Sequence, residues 1–149
     1  MKFEGKLNLR SRREDVWNFI SEPAKVIECV PGVEEYSLSE GKRITARVKV
    51  SIGFIKGTFH TSSSVVEEDH SNYTAKLKLG GSGAGSGFDA LVDIKLNDID
   101  GGTEMVWKAD VNVSGPLGSL AKPMLEGYVK KLVDQLFDCI KQRVVSSSI

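Results

Sequence analysis

Long hydrophobic runs are missing from this sequence. No stretch approaches the roughly 18 consecutive apolar residues that a membrane-spanning helix needs. Charge interrupts the amino-terminal segment MKFEGKLNLRSRRED every few residues, so it does not read as a secretory signal. The expected compartment is therefore the cytoplasm. An excess of one charge is also missing: 20 Lys and Arg balance 20 Asp and Glu. That balance gives no global attraction to nucleic acid, and no nucleic-acid partner is expected. Cysteine and histidine are scarce, at two each. Cys29 and Cys139 are too few and too far apart for a disulfide framework or a zinc site, and they read as buried, reduced thiols. His60 falls on the polar face of a strand and His70 in the acidic turn Glu67-Glu68-Asp69-His70. No metal-ligand spacing and no Ser-His-Asp or Cys-His arrangement emerges. The expectation is no catalytic residue, no metal and no cofactor.

What is present is period-two alternation, framed by helical segments. Phe3, Gly5, Leu7 and Leu9 share one strand face. Ser11-Arg12-Arg13-Glu14 has capping-box spacing before a short helix carrying Val16, Trp17 and Ile20. Pro23 opens a second short helix, which Pro31-Gly32 stops. From Val33 to about Gly115, alternating sets are separated by hairpin-length turns. The last segment, from Ser119 to about Val145, repeats apolar residues every three or four positions. It predicts a helix of about 40 Å, with Ser146 to Ser148 as a frayed tail. The resulting expectation is one α+β domain over residues 1–149: a seven-stranded curved antiparallel sheet around a long C-terminal helix, with two short helices between strands 1 and 2.

The glycine-rich segment Gly80 to Gly87 invites a nucleotide-loop reading, since Gly85-Ser86-Gly87-Phe88-Asp89-Ala90 matches G-x-G-x-x-A. That motif requires a helix after the glycines, and Phe88 to Leu96 alternates as a strand instead. A hairpin connection or glycine-rich strand ends is expected here.

The inner sheet face is rich in small residues: Gly5, Ala46, Thr61, Ser63, Ala75, Ala90 and Ala109. Small residues on a concave face leave volume unless large partners fill it. Apolar walls with a few hydroxyls are the usual make-up of a ligand pocket. The candidate lining is Phe59, Thr61, Ser63, Tyr73, Ala75, Leu77, Ala90, Met105, Trp107, Ala109, Met124 and Tyr128. The same composition also suits a plain packed core.

Several blocks carry a family resemblance: Val16-Trp17; Glu22-Pro23 with Cys29-Val30-Pro31-Gly32-Val33-Glu34; Gly53-Phe54-Ile55-Lys56-Gly57-Thr58-Phe59; the Gly81 to Gly87 run with Thr103; and Gly115-Pro116-Leu117-Gly118. Over essentially its whole length the chain resembles the CoxG family, named for the G subunit of carbon monoxide dehydrogenase, within the START and birch-pollen-allergen-like SRPBCC superfamily. The resemblance implies a helix-grip fold around a hydrophobic cavity. It also implies an accessory role toward a CO dehydrogenase-type molybdenum hydroxylase, with membrane recruitment, enzyme maturation and binding of a lipid, fatty acid or quinone-like molecule as the associated functions. The sequence ends at Ile149, without the longer extension tied to membrane anchoring, so peripheral membrane contact at most is expected. In this fold the short helix pair packs beside the last part of the long helix, which would bring Cys29 near Cys139. Two other functions stay open: a ligand-free docking module and a cyclase- or dehydratase-type enzyme. For the enzyme, the inward positions offer hydroxyls at Thr61, Ser63, Tyr73 and Tyr128 but no Asp, Glu, His or Lys.

Overall fold

A computed structural model describes residues 1–148, with side chains through residue 144. The chain runs β1 (Lys2–Leu9), α1 (Arg13–Ile20), α2 (Pro23–Ile27), β2 (Val33–Ser39), β3 (Arg43–Ile52), β4 (Ile55–Asp69), β5 (Thr74–Gly83), β6 (Ser86–Ile99), β7 (Gly102–Ser114), a 3₁₀ turn (Gly115–Ser119) and α3 (Lys122–Ser148). The strands form one seven-stranded antiparallel sheet in the order β1-β7-β6-β5-β4-β3-β2. Every hairpin from β2 to β7 joins neighbours, and β1 returns to close on β7. This is the predicted α+β order, with α3 as the cover for the concave face.

The helices differ from expectation in detail. Arg12, not Ser11, is the N-cap of α1, and it makes no side-chain cap bond. Ser11 is instead buried, and its carbonyl accepts a 2.7 Å hydrogen bond from the buried Thr103 hydroxyl, pinning the chain to β7. The 3₁₀ turn takes up Ser119, so α3 starts later, and it continues to Ser148 where the sequence suggests a frayed tail. The Leu117 amide donates to the Ser86 hydroxyl at 2.9 Å, fixing the entry to α3 against the start of β6.

The glycine run proves to be strand on both sides of a two-residue turn. Gly83 pairs with Ser86, and Ala84 and Gly85 both have positive φ (51° and 76°), as a type I′ hairpin turn requires. The glycines within β5 leave room for rings. A Cβ on Gly81 would stand 2.6 Å from the Phe88 ring.

The reduced-thiol reading is overturned. Cys29 and Cys139 form a disulfide, with Cα atoms 5.5 Å apart. The bridge ties the chain just after α2 to the second half of α3, because the short helices pack on that end of α3. Glu28 and Arg143 add an ion pair at 2.7 Å beside it.

Packing concentrates at the two ends of α3. One end joins Leu9, Val16, Trp17, Phe19, Leu96, Met105, Ile140 and Val144. The other joins Ile52, Ile55, Phe59, Leu117, Leu120 and Leu125. A smaller group, Ile44, Ala46 and Val48, lies under Ile27 and Val33. At about 1.5–3 kcal/mol for each large side chain fully buried, these clusters hold the helix to the sheet from its ends.

Candidate functional site

Between the packed ends the inner face of the sheet is apolar and incompletely covered. The register shows which residues stand side by side there. One row runs Phe3, Ala109, Val92, Leu77 and Val65 across five strands. The next runs Val111, Ala90, Leu79, Ser63, Ile44 and Leu38. None of the first row belongs to a packed cluster among the described residues, and each is only half-buried. Ala90 is buried yet joins no cluster either. On α3, Val129, Leu132 and Val133 are also half-buried and lie between the helix residues that pack at each end. The strip reaches the free sheet edge, where Tyr36 and Leu38 are 39% and 55% exposed. A recess of about 560 Å³ opens at that edge, with Ile27, Val30, Val33, Tyr36, Glu28 and Arg143 among its walls.

The residues singled out from the sequence fall into three groups. Leu77, Ala90 and Ala109 lie in the two middle rows, with Ser63 beside Leu79. Thr61 and Trp107 border those rows. The Thr61 hydroxyl donates to the Ala46 carbonyl at 3.2 Å. Trp107 pairs with Gly5, where a Cβ would come within 2.8 Å of its indole, and the ring reaches Phe137 of α3 with centroids 6.1 Å apart. Gly5 thus lets Trp107 lie across β1 and mark one boundary of the strip.

The second group sits in the packed ends. Phe59 and Met105 are each 2% exposed and fill opposite clusters. Ala75 packs against the Met105 end and Tyr128 against the Phe59 end. Burial raises the Tyr128 hydroxyl pKa, and that hydroxyl has no hydrogen-bond partner among the described residues.

The third group lies off the strip, although Tyr73 still packs against the Met105 end. Met124 is 45% exposed near the start of α3, its sulfur against Gly53. Tyr73 is not in the strand where alternation put it: it occupies the turn before β5 with φ +52°. Its hydroxyl donates to Glu14 Oε2 at 2.8 Å, and its ring meets Trp17 and His70 edge-on. His70, read as a solvated turn residue, stacks on Trp17 at 5.4 Å and bonds the same Glu14 oxygen at 2.9 Å.

Sequence reasoning missed Phe3, Val65, Leu79, Val92 and Val111. Alternation places them on the inner face, but only strand register shows that they flank the small residues.

Among the described residues no helix is long and apolar enough to cross a membrane. A conserved protein from Geobacillus kaustophilus superposes with a TM-score of 0.91 at 23% identity, covering 100% of this chain and 98% of that one. The protein Ara h 8.0201 superposes with a TM-score of 0.72 at 15% identity, over 98% of both chains. A Thermus thermophilus protein superposes with a TM-score of 0.72 at 16% identity, over 100% of both. These likenesses establish the fold as the helix-grip of the birch-pollen-allergen and START type. No curated protein matches the sequence. The family model for CoxG, the G subunit of carbon monoxide dehydrogenase, matches residues 5–145, and the chain accordingly belongs to the CoxG family.

Proposed function

We propose that this protein binds a hydrophobic small molecule, a lipid, fatty acid or quinone-like compound, between the mid-sheet strip and α3. In this reading it serves without catalysis as an accessory factor of a CO dehydrogenase-type molybdenum hydroxylase. The observation that carries the reading is the row Phe3, Ala109, Val92, Leu77 and Val65, apolar side chains facing α3 that no packed cluster absorbs. Apolar surface left half-covered between two tight clusters gains free energy when a ligand completes the burial, by about 25 cal/mol per Å². Ser63, with no hydrogen-bond partner for its hydroxyl among the described residues, supplies a polar contact amid apolar walls. Family membership supports the accessory role and the partner class. The absence of ionisable side chains from the two middle rows speaks against acid–base chemistry there. A cytoplasmic setting belongs to the same reading, with burial of Cys29 shielding the disulfide from cellular thiols.

Titration of the purified protein with a fluorescent lipophilic probe, followed by competition with a long-chain fatty acid and with a quinone, tests this. Saturable binding at one site per chain, displaced by at least one competitor, is expected. Linear, unsaturable uptake would overturn the reading and leave a docking module without a ligand.

A further inference from the structure

A second recess, away from the apolar strip, lies where β1 ends and α1 begins. Its volume is about 400 Å³, and its walls include Arg10, Ser11, Arg13, Tyr73, Asp98 and Gly102. Several donor groups around it lack an acceptor among the described residues. Ser11 is 6% exposed, and its hydroxyl has no hydrogen-bond partner among the described residues. The buried Nε of Arg13 has none either. The rest of that guanidinium is held in place: Nη2 meets Asp98 at 3.0 Å, and the group lies 4.0 Å from the Tyr73 ring centroid. Helix α1 starts without a side-chain cap, so the peptide N–H groups of its first turn also lack acceptors, at the positive end of the helix dipole. Arg10 is exposed and makes no ion pair among the described residues.

Each carboxylate at this recess is engaged through one oxygen. Glu14 Oε2 accepts from His70 and Tyr73, and Asp98 accepts from Arg13. Arg12 pairs with Asp15 at 3.1 Å and Arg13 with Asp98, so Arg10 is the guanidinium at the recess without a carboxylate partner among the described residues. An uncapped helix end alone would bind nothing in particular. Here it stands beside the unpartnered hydroxyl of a buried serine that lines the recess, with the Arg13 guanidinium held next to it by Asp98 and Tyr73.

We propose that this recess binds a phosphate group. Its complement must be rich in acceptors, carry negative charge and meet donors arriving from different directions. A tetrahedral oxyanion presents oxygens that way, whereas a planar carboxylate presents two. The phosphate can belong to a free phosphate, a phosphate ester or a phospholipid headgroup. This site is independent of the apolar strip and stands even if no hydrophobic ligand binds.

The test uses the full chain at constant ionic strength. Calorimetric titration with inorganic phosphate and with glycerol 3-phosphate forms one arm. Co-sedimentation with phosphatidylcholine vesicles, with and without phosphatidic acid, forms the other. The variants are Ser11→Ala and Arg10→Gln, whose altered side chains bond to nothing else described, with thermal melts to confirm the fold. Saturable binding is expected in at least one arm, weakened about tenfold by each variant, as the loss of one charge-assisted hydrogen bond implies. Free phosphate binding in the first arm identifies a soluble ligand. Binding confined to phosphatidic acid vesicles identifies a headgroup. Either result supports the site when both variants lose it. No saturable binding in either arm, or binding that both variants retain, overturns it.

Discussion

Glu14 joins two parts of the chain through a single oxygen. Its Oε2 accepts from His70 Nε2 at 2.9 Å and from the Tyr73 hydroxyl at 2.8 Å, linking α1 to the turn between β4 and β5. The His70 bond, then the Tyr73 bond, holds the Glu14 pKa below its usual 4.5. Because the folded value is lowered, the stabilisation from Glu14 is present above the unfolded value and is lost as pH falls through the folded one. Glu14→Gln should therefore melt below wild type near neutrality. The gap should close as pH drops below about 4.5. Melting temperatures of both proteins across an acidic pH series check this, and a gap that stays constant would mean that the carboxylate charge contributes nothing. Little of this network is legible in the sequence. His70 sits among Glu67, Glu68 and Asp69 and reads as solvated because local polarity says nothing about the Trp17 ring beneath it. Tyr73 continues the parity of Ala75 and Leu77, so alternation alone carries the strand one residue too far. Its positive φ turns the side chain toward α1.

At the scale of elements, the sequence specifies most of the fold. The bounds of β1 follow from alternation alone, and most hairpins fall where the turn residues stand. The exception is β3–β4, where Ile55-Lys56-Gly57 reads as a turn but pairs within β4, and the chain turns at Gly53-Phe54 instead. The glycine run between β5 and β6 shows why boundaries fail. Glycine lowers strand propensity, yet Gly81 is retained in the strand because Phe88 occupies the space of a Cβ. The disulfide differs: the resemblance brings Cys29 near Cys139, but residue spacing alone does not, because two cysteines separated by 110 residues meet only once the α1–α2 segment docks on α3. On the chain-entropy account, a loop of that length stabilises the fold by about 4–5 kcal/mol. Thiol titration of denatured, unreduced protein should find no free thiol. Cys29→Ser with Cys139→Ser should lower the melting temperature markedly, and a reductant should do the same to wild type alone. Two titratable thiols per chain would instead restore the reading of a reduced pair.

Across the whole molecule, the two clusters at the ends of α3 hold the helix over a sheet whose middle they do not reach. Composition revealed a concave face lined by small residues, but not which of them are used up in packing. Ala75 and Ala109 look alike in sequence, each small and flanked by larger inner-face residues, Tyr73 and Leu77 in one case and Trp107 and Val111 in the other. The fold separates them. Ala75 pairs with Ile94 and packs against the cluster containing Leu96 and Met105. Ala109 stands between Phe3 and Val92 in the row that no cluster absorbs. An added ring at position 75 has to displace packed atoms, so Ala75→Phe should cost about 1–3 kcal/mol. At position 109 the ring enters the half-covered strip, so Ala109→Phe should melt near wild type while it abolishes saturable probe binding. Urea unfolding and probe titration of both variants measure the two effects together. Equal destabilisation by the two substitutions would mean that the middle of the sheet is packed as tightly as its ends, and the space under α3 would then be too small for a ligand.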